Sequence, residues 1–242
     1  MLETTFNDQE LMHIHCKNEY VIDAGGKILT TNHWSVGAPA SFLFVRSNTS
    51  NHWHFGHDID SRISVPLVEN FRLEPLGFTA DLVGHNLYTD IVNLEFVEKD
   101  IFDSWVFCQK MNTNPSSEDE VGVVQIFEAN SKLLERYFSA MLGFKSQVLI
   151  FDQPIFAKIV DGHAVSVCNS ARNSSQGAEC YIATTERYRG MGYGKQVTAL
   201  WAKSIYDSKK LPFLNTTIDN YSAIKIAEKT GFELIGRVLR VA

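Results

Sequence analysis

Between Glu179 and Ile205 an apolar strand runs into a glycine-rich turn, and a helix leaves it. The turn reads Thr185-Glu186-Arg187-Tyr188-Arg189-Gly190-Met191-Gly192-Tyr193-Gly194-Lys195. Val197, Leu200, Trp201 and Ile205 follow at helical spacing and form one buried stripe, which is core packing. No other stretch restricts the fold as strongly. A helix's first N–H groups lack internal partners, and the helix dipole adds partial positive charge beside them. Glycines let a phosphate approach without meeting a β-carbon, while Arg187, Arg189 and Lys195 can add full charges. Hydrogen bonds to charged groups contribute roughly 1.5–3 kcal/mol each, so three or four such amides suit a diphosphate. Two familiar phosphate patterns fail on spacing. Arg189 stands where the first P-loop glycine belongs and Gln196 follows the lysine. The third glycine of a dinucleotide GxGxxG arrives one residue early. What remains is Arg-x-x-Gly-x-Gly at Arg187, Gly190 and Gly192, which by itself reads equally well as a tight strand-to-helix turn.

The surrounding pattern is that of a packed protein: 242 residues, 45% hydrophobic and 21% charged, enough for one large or two small domains. The net charge of -6 disfavours a general nucleic-acid binder and leans toward amine-bearing partners. Cys16, Cys108, Cys168 and Cys180 show no CxxC spacing, and neither a signal peptide nor a membrane span is visible, so a cytoplasmic protein is expected. The run NTNPSSEDE at 112–120 reads as an exposed loop or linker between an N-terminal α+β region, 1–111, and a second region, 121–242. In the first, Tyr20–Ile22 and Lys27–Leu29 flank a glycine turn as a hairpin, and Ser41–Val45 is an apolar strand. Asp58 to Leu73 reads as helical, capped by Asp58 or Ser61 and interrupted or started by Pro66. Ile91 to Phe107 is undecided.

In the second region, Val121–Phe127 reads as a strand and Ser131–Leu142 as a helix carrying Leu134, Tyr137, Phe138 and Met141. Ile155–Val160 and Ala164–Val167 flank Asp161-Gly162 as a hairpin, and Glu179–Thr184 is a third strand. Pro212 ends the helix region after the glycine turn, and Phe213–Thr216 begins another strand. Asn220 starts a last helix closed by Gly231, and the tail is a strand. The order defines a mixed α/β, or α+β, sheet domain.

Twenty-eight residues after Gly192 comes Asn220-Tyr-Ser-Ala223, leading to Gly231-Phe232. This pair of motifs resembles the GNAT N-acetyltransferase superfamily, strongly over 121–242 and more loosely as a bacterial subgroup with an N-terminal extension. The resemblance implies a GNAT-like twisted mixed sheet with flanking helices, and acetyl-CoA as cosubstrate. It implies that Arg187 and the amides of Arg189, Gly190, Met191, Gly192, Tyr193, Gly194 and Lys195 face the diphosphate. It also implies that the strand through Ile182, Ala183 and Thr184 splays from its neighbour to bind pantetheine. Asn220, with Ser222 assisting, would hold the pantetheine arm. The chain departs from the family pattern at Ala227, where many members carry a tyrosine that protonates the leaving thiolate; Tyr221 is the nearby substitute.

The implied reaction is direct attack of an amine on the thioester. An alkyl amine with a pKa near ~10.4 is almost wholly protonated at neutral pH, so a base is needed. Glu179, on the strand opposite the pantetheine, is the candidate; a plain strand carboxylate is the bland alternative. An N–H near Ile182 or Thr184 would serve the oxyanion. The acceptor is expected to be a small-molecule primary amine, and a polycationic one such as an aminoglycoside or peptide antibiotic would connect the chain to drug resistance. A peptide or protein N-acetyltransferase and a non-catalytic acyl-CoA sensor are the rival readings. A homodimer is compatible with all three; nucleic-acid and membrane partners are not expected. His52 and His54 share a strand face near His57, Asp58 and Asp60, but a metal needs three or four convergent ligands, so aromatic loop packing is expected and no metal. His13 and His15 likewise alternate on one face with no visible partner.

Overall fold

The computed structural model describes residues 6–32, 39–74, 76–77, 100–143 and 153–241. They form two compact units, one of Cys108–Leu214 and Asn220–Glu233, the other of Leu2–Phe107, Asn215–Asp219 and Leu234–Ala242. In chain order the elements begin with α1 (Asp8–Glu19), β1 (Tyr20–Ile22), β2 (Ile28–Thr31), β3 (Phe42–Arg46), β4 (Asn51–Phe55), α2 (Ser61–Leu73) and β5 (Ile101–Cys108). They continue with α3 (Ser117–Glu120), β6 (Val123–Ile126), α4 (Glu135–Gly143), β7 (Ile155–Val160), β8 (His163–Asn173) and β9 (Gly177–Thr184). The last are α5 (Tyr193–Asp207), β10 (Leu211–Thr217), α6 (Tyr221–Lys229) and β11 (Glu233–Val241). Among the described residues no helix is long and apolar enough to cross a membrane.

The unit holding most of the N-terminal half is built on a sheet in the order β4-β3-β11-β5. All of β3 is buried, and Phe42, Phe44, Leu67, Phe71, Leu239 and Val241 form a core to which Trp53 and Phe55 add partial cover. Arg46 is buried at the end of β3 because Glu74 neutralises it at 2.7 Å. The hairpin β1–β2 forms where expected, with Gly26 at φ +83 in its turn. Asp60 caps α2 through the Arg62 N–H, in place of Asp58 or Ser61, and Pro66 lies inside the helix. The undecided stretch becomes β5 from Ile101 onward; 91–99 lie outside the described residues.

Helix α1 is absent from the sequence reading, yet its signal is present: Asn7 Oδ1 accepts the Glu10 N–H at 3.0 Å, and Glu10 Oε2 accepts the Asn7 N–H at 2.9 Å. Helical geometry overturns the shared face expected of His13 and His15. Two residues apart on a helix they diverge, His15 buried and His13 exposed.

The other unit carries the order β6-β7-β8-β9-β10. Asp161 at φ +50 and Gly162 at φ +75 make the tight turn of the antiparallel β7–β8 hairpin. One sheet face packs Ile126, Leu134, Phe138, Ala157 and Val167 together. Strand alternation sends Ser166, Ser170, Ile182 and Thr184 to the opposite face, where α5 lies. There Trp201 is fully buried and donates its Nε1–H to Ser170 Oγ at 3.1 Å. The predicted helix over Ser131–Leu142 begins as a 3₁₀ segment, Glu128–Leu134, and continues as α4 with a kink at Phe138. Pro212 sits within β10, and its carbonyl accepts the Gln109 N–H at 3.1 Å. The mixed sheet with flanking helices is the expected fold class.

Gly236 on β11 has no room for a side chain. An added β-carbon would press on the Met12 side chain and stand 2.7 Å from the Arg46 carbonyl. Backbone cannot yield as a flexible side chain can, so Gly236→Ala is expected to destabilise by about 1–3 kcal/mol. The measurement is the urea midpoint, which should fall without a change in slope.

Candidate functional site

The site is built from β9, the glycine turn, the start of α5 and the start of α6. Strand β9 pairs with β8 along its whole length, from Asn173↔Ala178 to Ser166↔Thr184. On its other side it pairs in parallel with β10 only at Leu211↔Gly177, Pro212↔Ala178 and Phe213↔Glu179. Among the described residues no further pair continues this ladder. Cys180 to Thr184 therefore keep a polar backbone edge open toward the β10 side, a ready template for another extended chain. Ile182, Ala183 and Thr184, all half-buried, lie on that segment, and Thr184 also accepts a hydrogen bond from Ser166 or donates one to it at 2.7 Å.

Beyond Thr184 the chain makes a short 3₁₀ turn, Glu186–Tyr188, tied down by Thr185 N–H and Oγ1–H donating to the Val165 carbonyl at 3.0 and 3.2 Å. It then passes through two left-handed glycines, Gly190 at φ +78 and Gly192 at φ +80. Among the described residues, a β-carbon on either would meet nothing within 4 Å. These glycines are therefore required by backbone conformation, and the space in front of them is open. Gly192 is the N-cap of α5, so the N–H groups of Tyr193, Gly194 and Lys195 begin the helix without intrahelical acceptors. Gly194 has a different reason: a β-carbon there would come within 2.9 Å of Ile226 Cδ1, so its absence lets α5 pack on α6.

The three cations of the turn do not share one environment. Arg187, Arg189 and Met191 are exposed, and Arg189 Nε donates to the Thr184 carbonyl at 3.3 Å. Lys195 instead pairs at 2.9 Å with Asp119, a buried carboxylate of α3. Asp119 also accepts the N–H and O–H of Ser116, at 3.0 and 2.8 Å. Burial pushes its carboxyl up, but the hydrogen bonds from Lys195 and Ser116 outweigh burial and hold it below the ordinary carboxylate range. The 112–120 stretch, expected as an exposed loop or linker, thus ends in a helical turn fastened to α5, where Gln196 Nε2 also donates to the Glu118 carbonyl at 2.8 Å. Half-buried Tyr193 carries the Lys158 ammonium 4.8 Å above its ring.

At the start of α6, Asn220 Oδ1 accepts the Ala223 N–H at 3.2 Å, so Asn220 is the helix cap. The cap occupies its oxygen and leaves the amide group for other use. Ser222 is exposed beside it, and Tyr221, 72% exposed, makes no hydrogen bond among the described residues. Gly231 at φ +78 closes the helix as expected. Ala227 is fully buried, so the position at which many members of the resembled family carry an acid holds only a methyl group.

Glu179 lies at the end of the parallel ladder, buried and ion-paired with Arg172, its direct partner across β8–β9. Arg172 and Asp119 are the two residues that sequence reasoning missed. Register alone brings Arg172 to Glu179. The Ser116-x-x-Asp119 spacing before β6 was a readable sign of a capped turn.

Residues 128–238 match the family model of the GNAT acetyltransferases. This region, a little under half of the chain, thus carries the GNAT acetyltransferase pattern, that of acyltransferases which use an acyl-coenzyme A. A conserved protein of unknown function from Staphylococcus epidermidis is similar in fold, with a TM-score of 0.50 at 13% identity over 80% of this chain and 84% of its own. A GCN5-related N-acetyltransferase-like protein from Streptococcus suis gives 0.49 at 16% identity, with 84% of each chain covered. A candidate GNAT-family acetyltransferase from Novosphingobium aromaticivorans gives 0.48 at 17% identity, over 59% of this chain and 64% of its own. The curated proteins contain no match.

Because the folded-state pKa of Asp119 is depressed, its contribution is complete above the unfolded value of about 3.9 and is lost as pH falls through the folded value. Asp119→Asn is expected to cost about 1.5–3 kcal/mol at neutral pH. Denaturation of both proteins from pH 7 to 2 should show that gap constant down to about pH 5 and closing below about 3.9.

Proposed function

We propose that the chain is an acetyl-CoA-dependent N-acetyltransferase that moves an acetyl group to a primary amine of a small molecule. The observation that carries this reading is the early end of the β9–β10 ladder next to the uncapped amides of α5. An open strand edge suits the amides of a pantetheine arm, and amides behind two left-handed glycines with no β-carbon suit a diphosphate. Arg187, Arg189, Gly190, Met191, Gly192, Tyr193 and Gly194 would surround the diphosphate. Lys195 would act mainly through its backbone N–H, since its ammonium is paired with Asp119. Ile182, Ala183 and Thr184 would meet the pantetheine, with the Asn220 amide and Ser222 at its far side.

In the reaction the amine nitrogen forms a bond to the thioester carbon and the sulfur leaves with the electron pair of the broken bond. A thiol with a pKa near about 8.5 leaves tolerably as thiolate, so an acid at position 227 is dispensable and Tyr221 is the nearest phenol. Glu179 is the proposed acceptor of the ammonium proton, directly or through water, with Arg172 orienting it. The buried Ala227 also favours a second reading, a non-catalytic acyl-CoA sensor. Tight binding without turnover over a broad amine panel would select the sensor.

Thermal unfolding with acetyl-CoA, CoA, ATP and NADH in parallel tests the cofactor. A ligand at ~100 times its dissociation constant stabilises by about 2.7 kcal/mol, which shifts the midpoint by a few degrees. Acetyl-CoA and CoA should raise it, ATP and NADH should not. Gly192→Glu places a carboxylate where the diphosphate belongs and should abolish the rise measured against that variant's own midpoint. A normal rise in the folded variant would refute the placement.

Glu179→Gln separates chemistry from structure. As a proton acceptor it should lower kcat by about 100-fold or more and remove the acid limb of the pH profile. A role confined to its pair with Arg172 would lower the melting midpoint and leave kcat within a few-fold.

A further inference from the structure

Helix α1 and strand β4 bring three soft or borderline ligands together in the N-terminal unit. Cys16 Sγ and ring nitrogens of His52 and His54 lie within 4.8 Å of one another. The two imidazoles project from the same face of β4, with ring centroids 5.6 Å apart. His54, only 6% exposed, sets its Nδ1 against the Gly26 carbonyl at 2.9 Å. That contact selects the tautomer with the proton on Nδ1 and leaves the Nε2 lone pair facing the cluster. His54 Nε2 and both ring nitrogens of His52 are buried and make no hydrogen bond among the described residues. Buried polar atoms are nearly always satisfied, so three such nitrogens beside a cysteine sulfur call for an explanation.

We propose that Cys16, His52 and His54 form a site for a borderline-soft divalent cation of the zinc type, which pins α1 to β4. One thiolate and two neutral imidazoles are a zinc donor set, and a backbone carbonyl on the outer nitrogen of His54 is the usual way such a ligand is oriented. A tetrahedral zinc draws its ligand atoms to roughly 3.5 Å apart, a closure that small side-chain rotations supply. His13, three residues before Cys16 on the same side of α1, has its ring 6.3 Å from that of His54. Sequence spacing alone could not supply this site, because its sulfur comes from a helix some thirty-six residues before the first histidine.

The test adds Co²⁺ to the untagged, metal-stripped full chain. One equivalent should produce intense tetrahedral d–d bands together with a thiolate-to-cobalt charge-transfer band, and Zn²⁺ should bleach both. Cys16→Ser should lose the charge-transfer band although Cys108, Cys168 and Cys180 remain. His52→Phe keeps an aromatic ring on β4; it should stay folded by circular dichroism, bind Co²⁺ at least tenfold more weakly and lose the rise in melting midpoint that Zn²⁺ gives the parent. Absence of the bands in the parent chain would overturn the proposal, as would bands that persist undiminished in either folded variant.

Discussion

The parallel ladder between β9 and β10 runs from Leu211↔Gly177 to Phe213↔Glu179 and stops there. From that point, among the described residues, Cys180 to Thr184 keep β8 as their one ladder partner, and the chain turns at Thr185 into the glycine segment. The antiparallel partner keeps the strand paired to Thr184 while the parallel partner lets go. A strand released on both sides would fray, and one paired on both sides would have no edge left to offer. The two left-handed glycines then complete the geometry by starting α5 directly after the turn.

Electrostatics divides the same turn into a fastened part and an open part. Lys195 is fastened by Asp119, which gathers the Ser116 hydroxyl and amide as well. Arg187 and Arg189 stay at the surface. A buried carboxylate with three donors stabilises the start of α5 without covering the space before Gly190 and Gly192. Packing acts beside it: Gly194 lets Ile226 come close, so α6 packs on the first turn of α5.

Much of this was legible in one dimension. Asp161-Gly162 dictated the β7–β8 turn because an aspartate and a glycine accept positive φ at low cost. The Val197, Trp201 and Ile205 stripe specified α5, and the Asn220 and Gly231 pair bracketed α6. The misses have physical causes. Helix α1 buries polar residues such as His15 and Asn18 alongside its apolar ones, so its apolar period is blurred, and only the Asn7–Glu10 box marked it. The kink at Phe138 divided a pattern that reads as one helix. Pro212, read as a helix stop before the strand, sits inside β10.

By itself the sequence determined the local grammar: where the chain turns left-handed, which faces are apolar, and which stretch resembles the GNAT acetyltransferases. These depend on neighbours within one or two turns of chain, and composition records them. Tertiary structure alone decided what lies far apart in sequence and meets in space. It set the residue at which β9 leaves β10, the pairing of Glu179 with Arg172 by strand register, the capture of Lys195 by Asp119, and the approach of Cys16 to His52 and His54. Register and long-range packing minimise the energy of whole sheets, and a one-residue slip would leave every local pattern intact while exchanging all of those partners.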